Sequence, residues 1–104
     1  MTKEFEIGIN LLKRVQKELE ELSQAQDRLT ARKIVNSIVN PITASAYQIR
    51  VGDGPYKEEL LENLLKLVKE MRELSDMNGI RETIKKLLEL LKEVEEASTQ
   101  KKEG

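Results

Sequence analysis

The sequence predicts an all-α fold, a bundle of aliphatic helices, on three observations. Leucine supplies 15 of the 104 residues, and Glu and Lys together supply 28. This mixture is typical of helices that pack through aliphatic stripes and present charged outer faces. Five Gly and two Pro interrupt it, and the apolar residues follow the helical period without sustained strand-like alternation. We predict one helical-bundle domain over residues 1–97 and a frayed polar tail over residues 98–104.

The first stretch of the chain carries apolar residues in steps of three and four, which predicts an amphipathic helix from about residue 3. Its stripe consists of Phe5, Ile9, Leu12, Val15, Leu19 and Leu22. The polar segment 23–27 then interrupts the stripe without Gly or Pro, and the stripe resumes in a different phase. This second stripe consists of Ala31, Val35, Ile38, Ile42 and Ile49.

Two interpretations of the segment 23–27 remain open. Either one helix runs from about residue 3 to residue 50, with a stutter that absorbs the phase change, or the chain turns and Asp27 caps a second helix. The missing turn residues favour the continuous helix, which we take as the first prediction, and the phase change favours the turn. Pro41 lies inside the helical pattern, and because the stripe continues through it, we predict a kink there.

The segment 52–55 (Gly-Asp-Gly-Pro) is the clearest break, because two Gly and one Pro end one helix and begin the next. A helix over about 55–76 follows, with Pro55 suited to its first position. Gly79 predicts a stop, because Gly accepts a left-handed backbone, and a last helix covers about 80–97. The stripes of these helices are Leu60, Leu64, Leu67, Met71 and Leu74, and then Ile80, Ile84, Leu87, Leu91 and Val94.

The two arms around this break are nearly equal in length, so the predicted architecture is an antiparallel helical hairpin. A lone hairpin leaves a second apolar face uncovered, which predicts a homodimer with coiled-coil character. If each arm folds once more, with an extra turn near residues 23–27, a monomeric up-down four-helix bundle satisfies the same stripes.

Composition excludes several kinds of chemistry. The chain has no Cys and no His, so disulfides, thiolate nucleophiles, Cys/His zinc sites and histidine catalysis are impossible. A net charge of −1 argues against nucleic-acid binding, and no apolar run approaches the roughly 20 residues of a membrane span. The charged N-terminus lacks an apolar signal core, which predicts a cytoplasmic protein. We expect no enzyme, no cofactor and no catalytic, cofactor-binding or metal-binding residues.

Residues 23–51 differ in composition from the rest of the chain, with one acid, Asp27, against four bases. The candidate partner-binding residues are Arg28, Arg32, Lys33, Asn36, Ser37 and Asn40. Together they predict a polar, basic face that suits an acidic protein partner. For Asn36 and Asn40, which lie one turn apart, the alternative is a buried polar pair that fixes helix register.

Part of this segment matches a known pattern. The matching residues are Ile38, Asn40, Pro41, Ile42, Thr43 and Ala44. With Tyr47 they resemble the phosphoacceptor helix in the dimerisation and histidine-phosphotransfer domain of sensor histidine kinases. In this resemblance Asn36 stands at the phosphorylated His, Ser37 stands at its acidic neighbour, and Val39 replaces the usual basic residue.

The resemblance implies a helix kinked at Pro41, a hairpin, and a dimeric four-helix bundle. It also implies that phosphotransfer is lost, since neither the His nor its acidic neighbour is present. We therefore predict a non-catalytic interaction or regulatory protein that docks a signalling partner, such as a response-regulator-like domain. The alternative is a purely structural bundle without a ligand, either an assembly subunit or a designed protein.

Overall fold

A computed structural model of the chain describes residues 1–103 and the side chains of residues 1–98. The helices are α1 (Lys3–Arg14), α2 (Gln16–Gln24), α3 (Arg28–Val51), α4 (Lys57–Glu73) and α5 (Met77–Glu103). At Val15, between α1 and α2, the N–H donates to the Leu12 carbonyl three residues back, at 3.2 Å. The predicted all-α class is confirmed.

The helices form an elongated up-down bundle with overall dimensions of 46 × 22 × 19 Å. α1 and α2 together make the first arm, and α3, α4 and α5 make the other three. α3 packs against α1, α2 and α4, while α5 packs against α4 and α2. Consecutive arms run antiparallel because the connections between them are short.

The chain turns at residues 25–27, so the predicted continuous helix over 3–50 is wrong and the alternative, an extra turn near 23–27, is confirmed. The phase of the stripes explains the turn. At 100° per residue, the stripe through Leu19 and Leu22 and the stripe through Ala31 and Ile42 would lie roughly 160° apart on one straight helix. A stutter cannot absorb an offset of that size, whereas a turn directs both stripes into one core.

Arg81 of α5 holds this turn. Its Nε donates to the Ser23 carbonyl and its Nη2 donates to the Ala25 carbonyl, both at 3.0 Å. Nη1 donates to Oδ1 of Asn78, also at 3.0 Å. α2 has no basic residue in its own last turn, so a neighbouring helix supplies the cation for carbonyls at the end of α2.

The core is formed by the apolar stripes that the sequence predicts. Every residue of the four stripes is buried, as are Ala25, Ala46, Val68 and Leu90. The two arms meet closely where Gly8 of α1 faces α3. Ser45 donates its hydroxyl to the Gly8 carbonyl at 2.7 Å, and a Cβ on Gly8 would lie 2.7 Å from Cγ1 of Ile49.

The connection between α3 and α4 is tied to the start of the chain. Thr2 caps α1 by accepting from the Phe5 N–H at 3.3 Å, and it also accepts from the Asp53 N–H at 2.9 Å. Pro55 does not take the first helical position, because α4 begins at Lys57. Tyr56, which directly precedes α4, has a left-handed backbone with φ 60°.

Gly79 does not stop a helix, and this prediction is wrong. α4 ends at Glu73, and Leu74 takes the left-handed backbone with φ 48°. Asp76 then begins α5 by accepting from the Gly79 N–H at 2.9 Å. Gly79 therefore lies in the first turn of α5, three residues after a capping aspartate.

α5 continues to Glu103, beyond the end predicted at residue 97. Gly104 and the side chains of residues 99–104 lie outside the described residues, so the frayed tail over 98–104 stays a prediction. None of the helices in the described part of the chain is both long and apolar enough to cross a membrane.

Candidate functional site

The candidate residues lie on α3, whose start is fixed by Asp27. The Asp27 carboxylate accepts from the Thr30 N–H at 2.7 Å and from the Thr30 hydroxyl at 3.3 Å. The backbone hydrogen bond from Thr30 lowers the pKa of Asp27, with smaller contributions from the Thr30 hydroxyl and from Lys33. This cap fixes where α3 begins, and the buried stripe of α3 decides which of its residues face outward.

We define the basic face as the six predicted residues Arg28, Arg32, Lys33, Asn36, Ser37 and Asn40. All six are exposed and lie on the outward side of α3. The interpretation of Asn36 and Asn40 as a buried register-fixing pair is wrong, because both amides are outside the core. Ser37 donates its hydroxyl to the carbonyl of Ile34 at 2.8 Å.

The charges on α3 have one sign. Its sequence carries Arg28, Arg32, Lys33 and Arg50 and no acidic residue. Of the first three, Arg28 lies in the first turn of the helix, where the helix dipole disfavours a cation, and Arg32 and Lys33 lie in the second turn. Among the described residues, none of these three bases is within 4.0 Å of a carboxylate. No close ion pair with a described acidic residue therefore accounts for these bases, although the charge of Lys33 contributes to the lowered pKa of Asp27.

Pro41 lies within α3, and the helix continues through it to Val51. The prediction that Asn40-Pro41 does not end the helix is confirmed. No charged residue occurs from residue 34 to residue 49, although 36 % of the chain is charged. The middle of the exposed α3 surface is therefore polar but uncharged.

A groove between α3 and α4 is a further candidate site that the sequence reasoning did not find. It has a volume of about 300 Å³. The residues that line it include Ala46, Tyr47, Arg50, Leu65, Val68 and Arg72. Tyr47 and Leu65 are 62 % and 49 % exposed. The uncharged stretch of α3 was the sequence signal that could have indicated this groove. The residues that α4 contributes could not be identified without knowing which face of α4 meets α3.

Three pairs of adjacent glutamates could supply paired carboxylates, but they do not form a catalytic cleft in the described part of the chain. Glu20–Glu21, Glu58–Glu59 and Glu95–Glu96 are exposed on outer helix faces. The side chains that the structure describes contain no group of three or more acidic residues placed to hold a metal ion.

The molecule belongs to the class of antiparallel helical bundles, and α3 is its distinctive element. Comparisons with protein-family models, curated proteins and solved structures find no match for the chain. The surface of α3 and the groove beside it are therefore the two features of the molecule that point to a function.

Proposed function

We propose that the chain is a non-catalytic interaction or regulatory protein that docks an acidic protein partner through the basic face of α3. The single observation that carries this proposal is the charge on α3, which has three bases in its first two turns and no acid along its length. Because none of these three bases forms a close ion pair with a described acidic residue, their charge is available to a partner. Complementary charge of this kind accelerates association and orients the partner.

The partner we propose is a response-regulator-like domain with an acidic surface. This follows from the resemblance to the dimerisation and phosphotransfer domain of histidine kinases, in which α3 and α4 correspond to one hairpin. In that correspondence α1, α2 and α5 take the place of a second hairpin. Asn36 and Ser37 are exposed, so a partner that docks on α3 would contact them without phosphotransfer.

The experiment is a binding measurement between the full chain and a panel of purified response-regulator receiver domains. Reversing three charges together, Arg28→Glu, Arg32→Glu and Lys33→Glu, is expected to weaken binding at least tenfold, since complementary charges become like charges. The matched control reverses three exposed lysines of α5, Lys85, Lys86 and Lys92, and is expected to leave the Kd within about twofold.

The dependence on salt gives a second measurement. Binding through exposed bases weakens as ionic strength rises, because counterions screen the charges. Equal losses in the α3 and α5 variants would contradict a specific site on α3. Absence of binding across the panel would contradict the choice of partner.

The alternative function is a structural bundle that acts as an assembly subunit. The observation that favours it is the closed network at one end of the bundle, where Thr2 joins the first turn of α1 to Asp53 of the α3–α4 connection. In that case charge reversal on α3 would leave the binding of receiver domains unchanged and would alter only the assembly of the chain into a larger complex.

A further inference from the structure

We infer that the groove between α3 and α4 receives an acidic amphipathic helix of a protein partner. This inference rests on the proposed function in one respect, that the partner is acidic. The residues that carry it, Tyr47, Arg50, Leu65 and Arg72, are not part of the basic face, so the two sites can be tested separately.

The apolar contacts in the groove come from both helices. Single exposed hydrophobic residues are common on protein surfaces and need no explanation. Tyr47 and Leu65, however, line the same groove from opposite helices, together with the buried side chains of Ala46 and Val68. Apolar side chains of a partner would thus be covered on two sides.

The charges in the groove also have one sign. Arg50 and Arg72 line it, and no carboxylate does. In the described part of the chain, neither arginine lies within 4.0 Å of an acidic side chain. Each stands in the last turn of its helix, where a cation is favourable, but both side chains remain available to a carboxylate of a partner.

Another groove of the molecule differs from the α3–α4 groove in its charges. The groove between α4 and α5 is lined by three acids, Glu59, Glu62 and Glu82, and by two bases, Lys66 and Lys86. The charges of the α4–α5 groove largely offset one another and leave an acidic excess, whereas two arginines without acids give the α3–α4 groove a positive potential. Charge complementarity therefore selects an anionic partner for the α3–α4 groove.

The shape of the groove favours a helix as the bound element. α3 and α4 satisfy their backbone hydrogen bonds internally, so a partner must bind through side chains, as in helix-in-groove recognition. Arg50 is near the α3–α4 connection and Arg72 near the other end of α4. From Leu61 to Arg72, α4 rises about 16 Å, or three turns. A matching helix has one acid near each end and an apolar stripe between them.

A second copy of this chain is a poorer occupant. A two-fold interface places the same patch of each copy against the other. The arginines of this groove would then meet arginines or the basic face of the other copy, and like charges across an interface are unfavourable.

The probe is a synthetic helical peptide about four turns long, with leucines one turn apart on one face and a glutamate near each end. The matched control peptide has lysine in place of each glutamate. Fluorescence anisotropy with the full chain is expected to give a micromolar Kd for the glutamate peptide and binding about tenfold weaker, or weaker still, for the lysine peptide.

Two variants test the groove itself. Leu65→Gln and Arg72→Glu are each expected to weaken binding of the glutamate peptide about tenfold. The matched controls are Leu29→Gln, at a side chain that is 70 % exposed and outside the groove, and Arg14→Glu on α1. Both controls are expected to leave the Kd unchanged, and thermal unfolding by circular dichroism checks that each variant folds.

The possible outcomes separate this inference from the proposed function. Equal affinity for the two peptides, or equal losses in the groove and control variants, would overturn the groove. Loss of peptide binding in the α3 charge-reversal variant alone would move the site to the basic face and leave the proposed function standing. Binding to anionic phospholipid vesicles that also requires Leu65, with no peptide binding, would replace the partner helix by a membrane surface.

Discussion

At the scale of single residues, Arg81 links α5 to the end of α2 and to the turn that follows it. Its guanidinium donates to the carbonyls of Ser23 and Ala25 and to the side chain of Asn78. Charge-assisted hydrogen bonds of this kind are stronger than neutral ones. A side chain of the last helix thereby stabilises the first turn of the bundle.

Replacing Arg81 by Met retains the apolar part of the side chain and removes the donors. We expect the free energy of unfolding to fall by about 2 kcal/mol, because two carbonyls lose a charged partner. Urea unfolding followed by circular dichroism measures the change. The control, Lys85→Met, alters an exposed lysine of the same helix and should stay within about 0.5 kcal/mol. Equal effects of the two substitutions would contradict the role of Arg81.

Asp27 makes stability depend on pH through the cap of α3. Since folding lowers its pKa, the unfolded state takes up a proton first as the pH falls. The contribution of the cap is present above the ordinary pKa of 3.8 and is lost as the pH falls through the lower, folded value. Asp27→Asn keeps a capping side chain that does not titrate.

We therefore expect wild type to lose more stability than Asp27→Asn between about pH 6 and pH 2. Denaturant midpoints of both proteins across this range measure the difference. The other acids titrate in both proteins and cancel in the comparison. Parallel pH profiles would show that the cap does not depend on the charge of Asp27.

At the scale of elements, α3 retains a proline in its interior. Pro41 cannot donate to the carbonyl of Ser37, and its ring crowds the preceding turn. The neighbouring hydroxyls bond locally, Ser37 to the carbonyl of Ile34 and Thr43 to the carbonyl of Val39. Helix α3 persists because its buried stripe packs against α1 and α4.

Pro41→Ala is expected to raise the free energy of unfolding by about 1–2 kcal/mol. The substitution restores a backbone donor worth more than the unfolded-state entropy that proline removes. Pro55→Ala, in the α3–α4 connection, is the control and should lower stability by up to about 1 kcal/mol. Chemical denaturation measures the free energy of unfolding of both variants. A lower value for Pro41→Ala than for wild type would mean that the proline fits α3 without strain.

At the scale of the whole molecule, the turn at residues 25–27 sets how the stripes are covered. The sequence predicts a homodimer on the ground that a lone hairpin leaves one apolar face open. In the bundle, α1, α2 and α5 cover that face within one chain. We therefore expect the mass of one chain in solution at every concentration measured.

Deleting residues 25–27 is expected to produce a domain-swapped dimer. Gln24 and Arg28 would then be adjacent, with Cα atoms about 3.8 Å apart, while packed helix axes stand about 8–10 Å apart. The first arm cannot fold back and must pack in a second chain. Light scattering after size exclusion gives the mass, with Gly-Ser-Gly in place of residues 25–27 as the monomeric control. A helical deletion variant with the mass of one chain would contradict this account.

Whether Asn36 and Asn40 of the basic face are exposed was left open by the sequence and decided by the structure. The sequence by itself determined the all-α class and the members of all four buried stripes. These properties depend on local periodicity, which a helix converts directly into one buried and one exposed side. Asp27 could also be proposed as a cap, because capping depends on residues within one turn.

Tertiary structure alone decided the turn, the groove and the positions of the left-handed residues. Segment 23–27 contains no Gly or Pro to mark the turn, and the turn is held by Arg81, more than fifty residues away in the chain. Leu65 becomes a groove residue because α4 meets α3 on that side, which its own periodicity does not specify. The local sequence pattern specifies which face of each helix is buried, and packing between segments that are distant in the chain determines which helix covers that face.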